Sequence, residues 1–325
     1  MLRLGPALLL ALAGFAAALA GFNAAAQQYP SRPIRLLVPI PPGGGPDIVA
    51  RLLSHRLSET LGQPMVVENR VGGNGAVAGE AVVKSSPDGY TLLLGMDSLL
   101  VINPHLYGGM AFDPMKDLVA VASLVSNGFF LAVNPAVPAQ SFPEFIEYAR
   151  RASPPLQYGS GGNGSQHHLT MERLKARAGI NMVHVPYKGG APATTATLTG
   201  EVAAMMSGTS TATQIRAGRL RALAFTGPKR SSALPDVPTI AEFYPDFVMV
   251  QWYGLFAPAA TPQAVLARLR AEVNKALLLP DIKEKLANAG GVEPWITTPE
   301  EFVTEIRSEY AKYARLVKDV GAKID

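Results

Sequence analysis

The segment Ile34-Arg-Leu-Leu-Val-Pro-Ile40, followed at once by Pro41-Pro42-Gly43-Gly44-Gly45-Pro46-Asp47, decides the fold. A short apolar run with branched residues reads as a buried strand, and the glycines that end it read as a tight turn. Pro46 suits the first turn of a helix, where its missing N–H is not needed. Beyond it, Ile48, Val49, Leu52, Leu53, Leu57 and Leu61 recur at helical spacing and leave Arg51, His55, Ser58 and Glu59 outward, until Gly62 stops the run. The same alternation continues with a strand at Met65–Glu68, a Gly72-Gly73-Asn74-Gly75 turn, a helix over Ala76–Lys84 and a strand at Tyr90–Leu94. Strand and helix alternating through short loops predict parallel strands covered by helices on both faces.

Further along, strands are expected at Leu156–Tyr158, Met182–Val185, Glu201–Met205 and Leu220–Phe225, with helices over 166–178, 190–199 and 210–217 between them. Ser141-Phe-Pro-Glu144 and Thr298-Pro-Glu-Glu301 have capping-box spacing, and Thr261-Pro262 is expected to open a helix in the same style. The last 65 or so residues are amphipathic and helical. The pattern divides into two α/β units, residues 27–128 with 253–325 and residues 129–252, joined by crossings near Phe129–Asn134 and Gln251–Ala257 that would act as hinges.

Composition narrows the function. The 325 residues carry a net charge of +4 and no cysteine, which removes disulfides, thiolate metal sites, iron–sulfur clusters and thiol nucleophiles. The basic residues are scattered, without interleaved aromatics, so no nucleic-acid partner is expected. Residues 1–26 have one cation at Arg3, an uncharged stretch from Leu4 to Phe22, and Ala24-Ala25-Ala26. This pattern fits a secretory signal cleaved after Ala26 or an uncleaved anchor. Gly5, Pro6, Gly14 and the small-residue ending select the signal, and with it export of a chain expected to act as a monomer.

Three glycine-rich loops share one placement, after a strand and before a helix: Pro41–Asp47, Gly159-Ser-Gly-Gly-Asn-Gly-Ser165 and Tyr187-Lys-Gly-Gly-Ala-Pro192. A helix start carries unpaired N–H groups and a partial positive charge, and glycine lets an anion reach them. In parallel α/β sheets such loops gather at the carboxyl ends of the strands. Gly159, Gly161 and Gly164 also fit a dinucleotide fingerprint, but the next strand, Met182-Val-His-Val-Pro-Tyr187, lacks the acid that would bind a ribose. There is no phosphate-binding Gly-Lys-Ser/Thr, no nucleophile elbow and no H-E-x-x-H, so neither a cofactor, a metal nor catalysis is indicated.

Longer stretches carry a resemblance. Pro30 through Arg51, Leu61-Gly-Gln-Pro-Met-Val-Val-Glu-Asn-Arg70, Ser86-Pro-Asp-Gly-Tyr-Thr-Leu-Leu-Leu-Gly95, Ile102-Asn-Pro-His-Leu-Tyr107, His184–Pro192 and Leu234-Pro-Asp-Val-Pro-Thr-Ile-Ala-Glu242 occur in order. In these stretches the chain resembles the tripartite tricarboxylate transporter substrate-binding proteins, the Bug family. The resemblance implies a type II, two-domain periplasmic binding protein (Venus flytrap) that closes over a small carboxylate and delivers it to inner-membrane permease subunits. It places a carboxylate cradle on Gly43, Gly44, Gly45 and Asp47 through backbone N–H groups and bridging water, with the Asp47 side chain capping the helix start. The opposite wall falls on Ser160, Asn163, Gly164 and Ser165, with His168 and Tyr187 nearby. Pro42, Gly162, Ala191, Ser207 and Gly208 complete these candidates.

Departures from the family bear on the ligand. Pro46 stands where many relatives have Ser or Thr, Met96-Asp97-Ser98 replaces a polar stretch, and Val202–Met206 replaces one that often carries Asp and Phe. With Met96, Asp97 and Ser98 as further candidate contacts, a less polar pocket is expected, suited to one or two carboxylates on an apolar or aromatic body, with Asp97 facing a cationic nitrogen or capping the next turn. The alternatives are a sensor that presents its closed form to a signalling partner, and a nucleotide-dependent α/β enzyme.

Overall fold

The computed structural model describes residues 29–288 and 292–319. The expected leader, residues 1–26, lies outside them.

The first α/β unit runs β1 (Ile34–Val38), α1 (Gly45–Leu61), β2 (Met65–Asn69), α2 (Ala76–Val83) and β3 (Thr91–Met96). A π-helical turn, Ser98–Ile102, and two single-turn helices follow. The chain then enters β4 (Leu118–Val133), α3 (Phe142–Arg151), β5 (Leu156–Ser160), α4 (Gln166–Ala178), β6 (Met182–Pro186), α5 (Gly190–Thr199), β7 (Ala204–Gly208) and β8 (Arg221–Phe225). It returns through β9 (Val250–Pro258), α6 (Gln263–Leu278), α7 (Pro280–Asn288), the short β10 (Glu293–Pro294) and α8 (Pro299–Asp319).

The strands repeat one arrangement twice. In the first half β1 lies between β2 and β3, all parallel, and β3 is bordered by the antiparallel β9. In the second, β5 lies between β6 and β7, again parallel, and β7 is bordered by the antiparallel β4. The parallel strands expected from the alternating pattern are therefore present in each half. The antiparallel strands connect the halves. Residues 118–128 of β4 pair with β9, and residues 129–133 pair with β7 and β8. The segments expected as hinges are thus strand.

Local chemistry accounts for most boundaries. Val49, Ala50, Leu53, Leu57 and Leu61 bury one face of α1, and Gly62 ends it at φ +70°, a conformation that favours glycine. Thr298 and Glu301 exchange hydrogen bonds at the start of α8, as their spacing predicts. Ser141 accepts from Glu144 N, but the Glu144 carboxylate turns to Gln140 N. Thr261 does not cap α6; its hydroxyl donates to Pro258 O, and Pro262 stands at the cap. The strand expected at Glu201–Met205 begins three residues later, because Gly200 at φ +80° sends the chain through a bend first. Thr209–Thr211 form a tight 3₁₀ turn ahead of the helical Ala212–Arg216.

Both faces of the first sheet are covered. Ile34, Leu36 and Val38 face α1 and the Leu266, Leu269 and Val273 stripe of α6, while Leu37 and Leu93 face Ala78 and Val82 of α2. Gly95 and Gly254 sit directly opposite each other between β3 and β9. A Cβ on Gly254 would lie 2.5 Å from Phe302 Cζ, and one on Gly95 would lie 2.6 Å from Phe256 Cδ2. The two glycines let Phe256 and Phe302 pack against the sheet beside Trp252. Gly254→Ala is expected to cost about 1–3 kcal/mol by overpacking, read as a lower urea midpoint with an unchanged slope. An unchanged midpoint would show that the aromatic layer yields freely.

Candidate functional site

A cavity of about 110 Å³ lies between the halves, at the carboxyl ends of the parallel strands. Two helices from opposite halves begin on it. The cap residue of α1 is Gly44 and that of α5 is Gly189, and neither helix start receives a side-chain hydrogen bond. A helix start leaves first-turn N–H groups unpaired and carries a partial positive charge, although Pro46 and Pro192 supply no N–H. Gly44, Gly45, Gly189, Gly190 and Ala191 all line the cavity. The two loops also meet, since a Cβ on Gly189 would lie 3.4 Å from Pro41 Cδ.

The first loop is held from behind. Asp47, buried on α1, accepts from Gly43 N at 2.9 Å, Arg51 Nε at 2.9 Å and Asn69 Nδ2 at 2.8 Å. Asn69, at the end of β2, also donates to Ile40 O. Burial alone would raise the Asp47 carboxyl, but these hydrogen bonds outweigh it and hold the group below its ordinary value. Asp47 does not cap the helix start as expected; its carboxylate reaches past Gly44 to the preceding Gly43 N and braces the loop instead. It also ties up the N–H of Gly43, which was assigned to the ligand, and leaves Gly44 and Gly45, both half-buried, as the donors of that loop.

Of the other candidates, Gly43, Gly44, Gly45, Met96, Asp97, Ser98, Ser165, Ala191 and Gly208 line the cavity. Gly162, Asn163 and Tyr187 line an adjoining, more open cavity of about 590 Å³ that shares Ile40, Asn74, Met96, Gly161 and Gly189 with it. Six residues lie outside both. Pro42 is exposed, and Asp47 is behind the loop. Ser160 is fully buried, bonded to His184 Nε2 at 2.6 Å and to both Gly162 N and O. Gly164 N donates to His168 Nδ1, and the His168 ring stacks on His184 at 3.9 Å, so both brace the second loop from within. Ser207 is buried against Thr211 and Phe130 O.

His167, not His168, reaches the cavity. A Cβ on Gly161 would lie 3.0 Å from its Nδ1 and one on Gly190 3.4 Å from its Nε2, so these glycines make room for the ring. Burial pushes His167 down to about 4, leaving the imidazole neutral near pH 7.

The walls are mostly apolar, as expected, but several polar side chains join them. Asn74, Asn127, Gln166, Thr209 and Gln251 face the cavity, with Ile40, Pro46 and Tyr253 as apolar and aromatic surface. Asn74 had a signal in the sequence: its glycine-rich turn stands after β2 as the Tyr187–Pro192 loop stands after β6. Asn127 and Gln251 had none, because they come together only through the β4–β9 register.

No Lys or Arg lines the cavity. Its one acid, Asp97, caps the π-helical turn by accepting from Ser98 N at 2.6 Å, and it also accepts from Gln166 Nε2 and Trp252 N. This is the turn-capping alternative, with both carboxylate oxygens engaged inside the chain. Burial first, and then the nearby Glu309, push the Asp97 carboxyl up to about 8, so near neutral pH it sets no full negative charge against an anion. Among the described residues no group of three His, Asp or Glu side chains is placed to hold a metal, and no helix is long and apolar enough to cross a membrane.

Residues 49–322 match the family described as "Tripartite tricarboxylate transporter family receptor". The chain belongs to that receptor family. It is 37% identical over 321 residues to Protein BugT of Bordetella pertussis, covering 97% of this chain and 98% of that one. Among solved structures, Rpa4515 of R. palustris with adipate superposes with a TM-score of 0.87 at 32% identity, covering 91% of this chain and 100% of the other. MatC from Rhodopseudomonas palustris with bound malate gives a TM-score of 0.80 at 29% identity, over 89% of this chain and 100% of the other. The two-domain periplasmic binding protein fold follows from these matches. This family member is a solute-binding receptor and not an enzyme.

The raised Asp97 makes a pH prediction. Its carboxyl gives up its proton near 3.8 in an unfolded chain and near 8 in the fold, so folding takes up a proton between those values. Its contribution to stability therefore falls as pH rises from about 4 to about 8. Asp97→Asn removes that dependence. Whatever offset the altered contacts leave, the variant's stability relative to wild type should improve steadily across that window, as read from urea midpoints. A pH-independent difference would contradict the assignment.

Proposed function

We propose that this receptor captures a small carboxylate between its two halves and hands it to the membrane subunits of a tripartite transporter. The observation that carries the reading is that two helix starts without side-chain caps, those of α1 and α5, line one cavity that has no Lys or Arg among its lining residues. Such a site favours negative charge through N–H dipoles alone. The neighbours with adipate and with malate support a carboxylate as the class of guest.

In this reading, residues 27–128 with 253–325 form one lobe, residues 129–252 form the other, and residues 1–26 are the leader that sends a monomeric receptor to the periplasm. Contacts such as Gly189 on Pro41 and Gln166 on Asp97 join the lobes when they are together. A guest touching both lobes shifts the population toward that arrangement. The cavity, at about 110 Å³, is well below the 300–1,000 Å³ of typical drug-sized sites. Ile40, Pro46 and Met96 would lie against the carbon chain of the acid, and a larger body would extend into the adjoining cavity.

Thermal unfolding against a panel of short mono- and dicarboxylates tests the proposal. A true ligand at 100 times its Kd should add about 2.7 kcal/mol of stability, and calorimetry should show saturable one-to-one binding. Gly45→Val should weaken that ligand more than tenfold, because a Cβ there already lies 3.2 Å from Tyr253 Oη. If no carboxylate in the panel stabilises the protein, the proposal fails.

A further inference from the structure

Another cavity formed by both halves, of about 200 Å³, lies behind the β4–β9 ladder. In that ladder Ser126 is opposite Trp252, Asn127 opposite Gln251 and Gly128 opposite Val250. Successive strand residues point to opposite faces, and directly paired residues share a face. Gln251 lines the main cavity, whereas Ser126 and Val250 line this one. The ladder therefore stands between the two cavities.

The rear walls come from both halves. The second half supplies the loop 227–231, anchored by Arg230, which donates to the two carboxylate oxygens of Glu242 at 2.9 and 2.7 Å. A Cβ on Gly128 would lie 2.6 Å from Phe225 Cζ and one on Gly227 2.4 Å from Phe225 Cε1. Both glycines thus make room for the ring where β4 crosses between the halves. The first half supplies Glu293, Pro294 and Trp295. Val250, Pro294 and Trp295 are only half-buried, which leaves apolar surface for an occupant.

Volume and charge narrow the occupant. An apolar cavity of roughly 150 Å³ takes up benzene, so one of about 200 Å³ holds a six-membered ring with a small substituent. Phe225, Trp295 and Pro294 suit the ring. Lys229 suits a carboxylate, because its only ionic partner among the described residues is Glu293 of the other half, at 3.8 Å. Glu293 in turn reaches Ser232 Oγ only at 3.5 Å. Position gives the occupant a consequence. The contacts of Gly189 on Pro41 and Gln166 on Asp97 join the halves in front of the ladder while this cavity is open behind it. A rotation about the ladder that parts the halves in front brings Pro294 and Trp295 toward the loop 227–231. A molecule lodged between them resists that approach.

We propose that the rear cavity binds a small monocyclic aromatic acid, and that its occupancy favours the closed arrangement of the main cavity. The coupling rests on the two-lobe carboxylate reading above; the rear site itself does not.

A proton–nitrogen NMR titration of the mature protein with benzoate tests the site. The Gly128, Gly227 and Ser231 amides should shift saturably. Ser126→Leu, which fills the cavity, should weaken that binding about tenfold or more. Lys229→Gln, at a side chain 77% exposed, should fold even if Ser126→Leu does not, and should weaken binding about threefold. Shifts confined to Gly44, Gly45, Gly190 and Ala191 would place benzoate in the main cavity and overturn the site. No binding in the millimolar range, or an affinity unchanged in the folded variants, would overturn it too. Calorimetry with an acid that binds the main cavity tests the coupling: in saturating benzoate it should bind several-fold more tightly, and benzoate should gain by the same factor in its presence. Equal or weaker affinities would overturn the coupling and leave the rear site standing. If no acid in the carboxylate panel binds, the carboxylate reading and the coupling fall together, while the benzoate titration still decides the rear site.

Discussion

The β4–β9 ladder is the constraint on which the site depends. β4 pairs with β9 over residues 118–128 and then, without leaving the extended conformation, supplies the border strand of the second half over residues 129–133. One strand therefore fixes the positions of both parallel sheets. The loops after β1 and β2 are set against the loops after β5 and β6 because each sheet is registered to this shared element. Two irregularities in the ladder, between Ala120 and Ala122 and between Ser123 and Val125, interrupt the pairing on the first-half side of Asn127. Asn127 and Gln251, opposite each other beyond those irregularities, then contribute to the cavity wall.

Electrostatics at the cavity follow from what is absent among its lining side chains and what has been neutralised. The charged groups closest to the first loop, Asp47 and Arg51, bond each other behind it. Asp97 is buried and surrounded by donors, and Glu309, the acid that repels it, bonds Trp252 Nε1. What remains facing the cavity is dipolar: helix starts, amides, hydroxyls and a neutral imidazole. A dipolar site can hold an anion while avoiding the desolvation of a buried cation. A receptor must also let its cargo go.

Much of this was legible in the sequence, for a physical reason. Helix and strand periodicity is local, so β1, α1, α4 and α5 follow directly from Ile34–Val38, the α1 apolar stripe and the glycine-bounded segments near residues 166–199. The loops that begin helices were legible because glycine before a helix has few other uses. Long-range register was not legible. β4 and β9 read only as crossings, since nothing local says that Asn127 meets Gln251 or that Asp97 meets Trp252 N. The choice between His167 and His168 turned on about 100° of helix rotation, and only packing of His168 on His184 settles it. Ser160 and Ser207 illustrate the converse: polar residues in the right loops whose hydroxyls are consumed by the chain itself.

The central claim is that main-chain amides from both halves grip the guest's carboxylate. A proton–nitrogen NMR titration of the mature protein with the tightest-binding acid tests it most directly, because Gly43 supplies an internal control: its N–H is already committed to Asp47. The account predicts large downfield shifts of the Gly44, Gly45, Gly190 and Ala191 amides as the acid saturates, with a much smaller change at Gly43. Saturation that leaves those four amides in place while arginine or lysine side-chain signals move would contradict it.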